Sequence, residues 1–288
     1  MTATLIILAG GASSRMKKSV DTNLSSEDTE QANTRSKALI VINDRPMLDY
    51  LLFTAKKAGL KNVIIVISPQ GDLFKTYYGL KDAQNDFHGL TISYAVQYVP
   101  EGRTKPLGTA DAVLQALEQY PELQQQQFLV CNSDNLYSST AMQKLRATAA
   151  KNAFIAYDRK ALQYPMDRIA RFALTLITSE GYLSDIIEKP ETEIIDRFKG
   201  PDGAYRVSMN IFKFDGAQFF TYLKHCPIHP ERNEKEIPTA LLAMIANNPI
   251  AVAAIPLAEH VPDLTGKNDI KVMNAYLSQH IPNLNWDY

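Results

Sequence analysis

Three features of the 288-residue chain could do chemistry. The first is Leu8-Ala9-Gly10-Gly11-Ala12-Ser13-Ser14-Arg15-Met16, which directly follows a short apolar run. Adjacent glycines let the backbone approach a ligand and present N–H groups to it, and a following arginine can fork onto phosphate oxygens. A tight turn is the plain alternative. No GKS or GKT follows and no GxGxxG is present, so neither a Walker A loop nor a dinucleotide fingerprint is read here. The second feature is Asp134, placed just after the apolar run 128–131, where a carboxylate suits Mg²⁺ held over phosphates. Capping a helix N-terminus is its plain alternative. The third is His225-Cys226-Pro227-Ile228-His229, which offers metal-ligand types without a second pair at zinc spacing and is discounted. No Ser-His-Asp set suggests a protein nucleophile.

These residues need a scaffold, and the hydrophobic pattern supplies one. Strands are predicted over 4–8, 63–67, 90–96, 128–131 and 153–157, and helices over 46–58, 109–119 and 139–150. Such alternation predicts an α/β fold with a parallel sheet, whose ligands sit at the carboxyl ends of the strands. The second half reads as strands 169–178 and 182–187 around Ser179-Glu180-Gly181, a strand 207–214, a helix 237–246, a strand 250–256 and a helix 268–279. No linker divides the chain, so one domain over 1–288 is expected, with halves 1–150 and 151–288. Residues 17–36 are polar and aperiodic and read as a mobile surface loop. Gln124 to Gln127 reads as a solvated turn.

Composition narrows the function. Hydrophobic residues are 45%, charged residues 21%, and net charge is -1. Nothing in that balance favours nucleic acid or an anionic membrane as partner. Two separated cysteines, no basic leader and no long apolar run predict a cytoplasmic protein without a disulfide framework or membrane span. A homo-oligomer is compatible with the sequence.

With Ser36-Lys37-Ala38-Leu39 and Arg45-Pro46-Met47-Leu48-Asp49-Tyr50 added, the glycine loop resembles the sugar-1-phosphate nucleotidyltransferase family. That family's pattern is LAGGxGTRLxP…PKxLxP…KPxLxY. Further matches are Gln97 with Gly108-Thr109, Asn132-Ser133-Asp134-Asn135, Glu188-Lys189-Pro190, Ser208-Met209-Asn210 and Val261-Pro262-Asp263. The resemblance runs over 5–277 and implies a nucleotide-diphospho-sugar transferase fold, an α/β sandwich with a mostly parallel, Rossmann-like sheet between helices. It implies that Leu8, Ala9, Gly10, Gly11 and Ser14 wrap the nucleotide phosphates and that Arg15 and Lys37 neutralise them. Gln97 would read the base, with Gly108 and Thr109 packing against base and ribose. Asp134 and Asp263 would hold Mg²⁺. Asn135, Glu188 and Asn210 would contact the sugar, and Lys189 its phosphate. This chain departs from the pattern: Ser36 replaces a proline, Arg15 and Lys37 lie 22 positions apart, and residues 98–107 intervene between Gln97 and Gly108; Ser133 and Ala173 stand where the family often has glycine, and the Thr265-Gly266 order is inverted with no tryptophan before it. Lys105, inside that insertion, reads either as an exposed lysine or as a phosphate contact.

The implied reaction transfers a nucleoside monophosphate from an NTP to a sugar 1-phosphate and releases pyrophosphate. UTP or dTTP is expected, because the Gln97 amide offers both a donor and an acceptor. One rival is a cytidylyltransferase acting on a non-sugar phosphate such as phosphocholine; another is a catalytically silent regulatory homologue. The presence of Arg15, Lys37, Asp134 and Lys189 argues against the second. The chain ends at Tyr288 without hexapeptide repeats, so no appended acyltransferase domain is expected.

Overall fold

Strand β1 (Thr4–Leu8) sends its side chains alternately to two apolar layers, because successive residues of a strand face opposite sides. Leu5 and Ile7 enter one core, and Ile6 enters the other. The structure, a computed structural model, describes residues 2–21 and 24–287. After β1 come α1 (Ser14–Lys18), α2 (Ser26–Thr34), a 3-10 turn at Lys37–Leu39, and a hairpin of β2 (Val41–Ile42) with β3 (Arg45–Pro46). The first half continues with α3 (Met47–Lys57), β4 (Asn62–Ile67), α4 (Asp72–Tyr78), β5 (Asn85–Phe87), β6 (Leu90–Val96), α5 (Thr109–Gln119), β7 (Gln127–Asn132) and α6 (Ser139–Ala147). The second half holds β8 (Asn152–Asp158), α7 (Met166–Ile169), β9 (Ala173–Ile177), β10 (Leu183–Ile187) and β11 (Arg206–Asp215). It ends with α8 (Gly216–Lys224), α9 (Ile237–Asn247), β12 (Val252–Leu257) and α10 (Asp269–His280).

The main sheet runs β10-β9-β11-β7-β1-β4-β6-β5, with β8 branching from β11 and carrying β12. Its centre, β7-β1-β4-β6, is parallel, and the second half joins through antiparallel β11. Helices cover both faces, giving the expected α/β sandwich. Strand order reverses at β1: the chain builds outward through β4 and β6, then returns to place β7 on the other side. The crevice at such a switch point, beyond the carboxyl ends, is where ligands of open α/β sheets bind. Among the described residues, no helix is long and apolar enough to cross a membrane.

Several sequence expectations change. The stretch 17–36 is largely helical rather than a loop. Ser25 accepts from the Asp28 N–H at 3.0 Å and caps α2, Ala32 is buried in a third apolar cluster with Met16 and Met273, and Gln31 Oε1 accepts from the Val41 N–H. A helix with one small buried face carries little periodic signal; residues 22 and 23 of the stretch lie outside the described residues. Ile169 belongs to α7, not to a strand. Pro165 starts that helical turn, and its carbonyl accepts from Arg168 and Ile169. Pro46 precedes α3 as its cap residue instead of occupying the first turn. The sequence pattern does not indicate helices α4 and α8 or strand β5. They are short, and α4 and α8 are fixed by buried pairs four apart, Phe74 with Tyr78 and Phe219 with Leu223.

Gly216 shows how tightly α8 is seated. A Cβ there would lie 1.9 Å from the Leu123 carbonyl oxygen, a backbone atom with little freedom to move. Gly216→Ala is therefore expected to cost about 1–3 kcal/mol in chemical denaturation by overpacking. An unchanged denaturation midpoint would contradict this seating of α8.

Candidate functional site

The site begins where two strands end side by side. Parallel pairing sets Leu8 of β1 beside Asn132 of β7, and the Ser133 N–H donates to the Leu8 carbonyl at 3.2 Å. The glycine loop and the Asn132-Ser133-Asp134 turn thus leave the sheet together. Ser13 takes a left-handed conformation (φ 54°), which swings the chain into α1 and brings Arg15 to the mouth. Lys37 reaches the same place despite its distance in sequence. The Ser36 hydroxyl donates to the Ala9 carbonyl and the Lys37 N–H to Ser13 Oγ, both at 3.4 Å, which ties the 3-10 turn to the glycine loop. Lys37 Nζ then lies 2.7 Å from Asp134 Oδ2. The intervening α2 adds residues without displacing either end.

Two cavities meet here. A cleft of about 460 Å³ is lined by Leu8, Ala9, Gly10, Gly11, Ser14, Arg15, Lys37, Gln97, Gly108, Thr109 and Asp134, so every residue expected to touch the nucleotide lines one space. Lys105 lines it too, from an exposed loop. A second cavity of about 850 Å³ is lined by Asn135, Glu188, Lys189, Asn210 and Asp263. Arg15, Asn132 and Asp134 line both, at their junction.

In the first cleft, Gln97 is 3% exposed and held from two sides. Its Nε2 donates to the Gly108 carbonyl at 3.0 Å and to Asp111 Oδ2 at 2.9 Å. Both partners are acceptors, which fixes the amide orientation and commits both N–H bonds internally. The expectation that Gln97 offers a donor and an acceptor to the base is therefore corrected: Oε1, the atom facing Gly10, is left as an acceptor. The insertion 98–107 does not displace Gln97, because the Tyr98 N–H donates to Gln115 Oε1 and the Val96 N–H to Gln119 Oε1, stitching the end of β6 to α5. Gly108 has φ 113°, and a Cβ there would lie 2.3 Å from the Lys235 carbonyl. Its backbone is held against the segment before α9, which also receives Thr109 Oγ1 as acceptor for the Ile237 N–H.

The carboxylates come from two neighbouring segments. Asn135 and Asp263 form a β-bridge, flanked by Leu136 N–H to Pro262 O and Leu264 N–H to Asp134 O. Asp134 and Asp263 are thus brought together across 129 positions of sequence. Burial, and next the Asp134 charge, push the Asp263 acid above its ordinary value, while Thr265 and Arg168 pull it back. A buried acid raised by a like-charged neighbour is a place that favours a cation. The donor set is hard oxygen. Among the described residues no cluster of three or more His, Cys, Asp or Glu forms a cage, but Mg²⁺ is usually held by one or two carboxylates with substrate phosphates, and this pair fits that pattern.

Two arginines that the sequence does not single out belong to this region: Arg168, on the wall of the second cavity, and Arg232, which reaches it only through Glu188. Arg232 pairs with both Glu188 and Glu236, so Glu188 is an ion-pair partner as well as a cavity wall. Arg168 joins Asp263 to Asp269. Neither arginine sits in a recognisable motif, and apart from Glu236, four residues after Arg232, their carboxylate partners are far away in sequence. Lys189 (φ 47°) and Asn210 (φ 58°) both take left-handed backbone conformations. Asn210 lies where β11 loses register with β8, an irregularity of the kind that re-aims side chains beside active sites. In the His225–His229 segment, His225 Nδ1 contacts the Thr221 carbonyl, His229 Nδ1 accepts from the Glu231 N–H, and Cys226 is buried.

Known proteins resemble this chain in sequence. A sequence profile of the Nucleotidyl transferase family fits residues 4–259. The D-glycero-alpha-D-manno-heptose 1-phosphate guanylyltransferase of Aneurinibacillus thermoaerophilus is 24% identical over 184 residues, covering 64% of this chain and 66% of that protein. Its Campylobacter jejuni counterpart is 28% identical over 113 residues, covering 39% and 41%. The glucose-1-phosphate thymidylyltransferase of Neisseria meningitidis is 34% identical over 100 residues, covering 34% of this chain and 28% of that protein. The match thus spans less than two thirds of each guanylyltransferase. A profile fit over nearly the whole chain, on the fold and cleft just described, establishes that this chain belongs to the nucleotidyl transferase family.

Proposed function

We propose that the chain transfers a nucleoside monophosphate from an NTP to a sugar 1-phosphate, forming a nucleotide sugar and pyrophosphate. The observation that carries this reading is the junction of two cavities at Arg15, Asn132 and Asp134. A displacement between two phosphorylated substrates needs two binding spaces that share a wall where charge can be neutralised. In this reading the NTP lies along the glycine loop and the sugar 1-phosphate occupies the larger cavity, against Asn135, Glu188, Lys189 and Asn210. The acceptor phosphate oxygen attacks the α-phosphorus, and the bond to the pyrophosphate oxygen breaks. Lys189 holds the attacking phosphate. Arg15 steadies the leaving pyrophosphate. Lys37 exchanges its contact with Asp134 for a phosphate. Asp134 and Asp263 would hold a divalent cation such as Mg²⁺, which would supply charge neutralisation for the phosphates.

The base preference follows from Gln97. An acceptor facing the base pairs with a ring N–H, which uracil and thymine carry, supporting the expected UTP or dTTP. Guanine carries one as well, and the guanylyltransferases among the relatives support GTP as the second reading. Adenine and cytosine lack a ring N–H on the pairing edge, and their donor there is an exocyclic amino group displaced from the position where the acceptor would meet the ring. A site whose buried polar group is left unpaired discriminates strongly. Competition at equal NTP concentrations should give kcat/KM for ATP and CTP at least about tenfold below the best of UTP, dTTP and GTP. ATP or CTP as the best substrate would refute the role of Gln97.

Two variants test the remaining assignments. Asp134→Asn should lower kcat about 100-fold or more, on the order of 3 kcal/mol, with circular dichroism unchanged. Near-normal kcat would remove Asp134 from the chemistry. Lys189→Ala should raise KM for the sugar 1-phosphate and leave NTP binding intact, and the reverse pattern would assign Lys189 to the wrong substrate.

A further inference from the structure

Asp263 does not stand alone at the junction. The Arg168 guanidinium donates through Nη2 to the Asp263 carbonyl at 2.9 Å and to Asp263 Oδ2 at 2.8 Å, and through Nη1 to Asp269. Asp263 Oδ2 also accepts the Thr265 hydroxyl at 2.6 Å. Asp269 Oδ2 accepts the N–H groups of Thr265 and Gly266 at 2.8 and 2.7 Å. The loop from Asp263 to Asp269 is therefore clamped at both ends by one planar fork. The fork itself is fixed from behind: Tyr164 lies under it, 4.4 Å from ring centroid to guanidinium carbon, and the Tyr164 hydroxyl donates to the Val261 carbonyl at 2.6 Å. A lysine offers a point charge and cannot span two carboxylates in this way.

We infer that Arg168 is a positioning residue that orients the Asp263 carboxylate for cation binding: it occupies Oδ2 and leaves Oδ1 to the junction. The inference rests on the cation-holding role proposed for Asp134 and Asp263. Arg168 lines the larger cavity, so contact with the acceptor is the competing role. Its donors argue for positioning, because both terminal nitrogens are committed to the Asp263–Asp269 loop. Orienting partners of this kind govern metal affinity, typically by ten- to a hundredfold.

The test is a titration of the whole chain with Mn²⁺ alone, read from the electron paramagnetic resonance signal of the free ion. Wild type is compared with Arg168→Lys, Arg168→Gln and Asp263→Asn, and UTP binding without metal is measured in parallel. Arg168→Lys keeps the charge and so guards against a variant that fails to fold. The expected result is a Mn²⁺ dissociation constant raised about tenfold or more in both Arg168 variants, with metal-free UTP binding unchanged. A merely structural arginine would disturb both. If Asp263→Asn loses Mn²⁺ affinity while the Arg168 variants keep it and show a raised KM for sugar 1-phosphate, Arg168 is a substrate contact and the inference falls alone. If Asp263→Asn binds Mn²⁺ as wild type does, the cation role of Asp263 falls, and the inference with it.

Discussion

The parallel pairing of β1 with β7 is the constraint on which the site depends. It sets Leu8 beside Asn132 and so releases the glycine loop and the Asp134 turn at the same edge of the sheet. Both strands are fully apolar in their interiors and contribute to both cores, so a slip of one residue would turn each core side chain to the wrong layer. The cost of misplacing Asp134 relative to the glycine loop is thus the cost of misfolding the centre of the sheet. Precision at the junction comes from the sheet, and the loops need only carry it forward.

Charge is the second theme. Three carboxylates that line the two cavities meet cations: Asp134 with Lys37, Asp263 with Arg168, and Glu188 with Arg232. These groups are partly or largely buried, where an unpaired charge is expensive. In the proposed reaction, binding two phosphate-bearing substrates would be an exchange of partners rather than the filling of a positive hole, consistent with a chain whose net charge is -1. The same arithmetic separates the pairs by role. Lys37 has one partner and can give it up, whereas Arg168 and Arg232 each bridge two acids and hold loops in place.

Much of this was legible in the sequence. The β-branched and aliphatic runs named the central strands, and the ordered set of glycine loop, Lys37, Asp134 and Glu188-Lys189-Pro190 named the residues that line the cavities. What could not be read depends on long-range side-chain geometry. Gln97 stands out in the sequence, but its hydrogen-bonding state is set by Asp111 and Gly108, which take both amide N–H bonds and leave only the acceptor. Arg168 and Arg232 acquire meaning through partners up to 101 positions away. Helix α2 was missed because its burial rests on Gln31 and Ala32, too small a face to register as periodicity.

The proposed displacement at phosphorus joins two substrates, and ³¹P nuclear magnetic resonance observes its products directly. The chain would be incubated with Mg²⁺ and a matrix of NTPs and sugar 1-phosphates. One pairing should yield two mutually coupled diphosphate resonances together with pyrophosphate, and omitting either substrate should abolish both. Release of inorganic phosphate from the NTP without a sugar 1-phosphate, or no phosphorus product across the whole matrix, would contradict the proposed displacement.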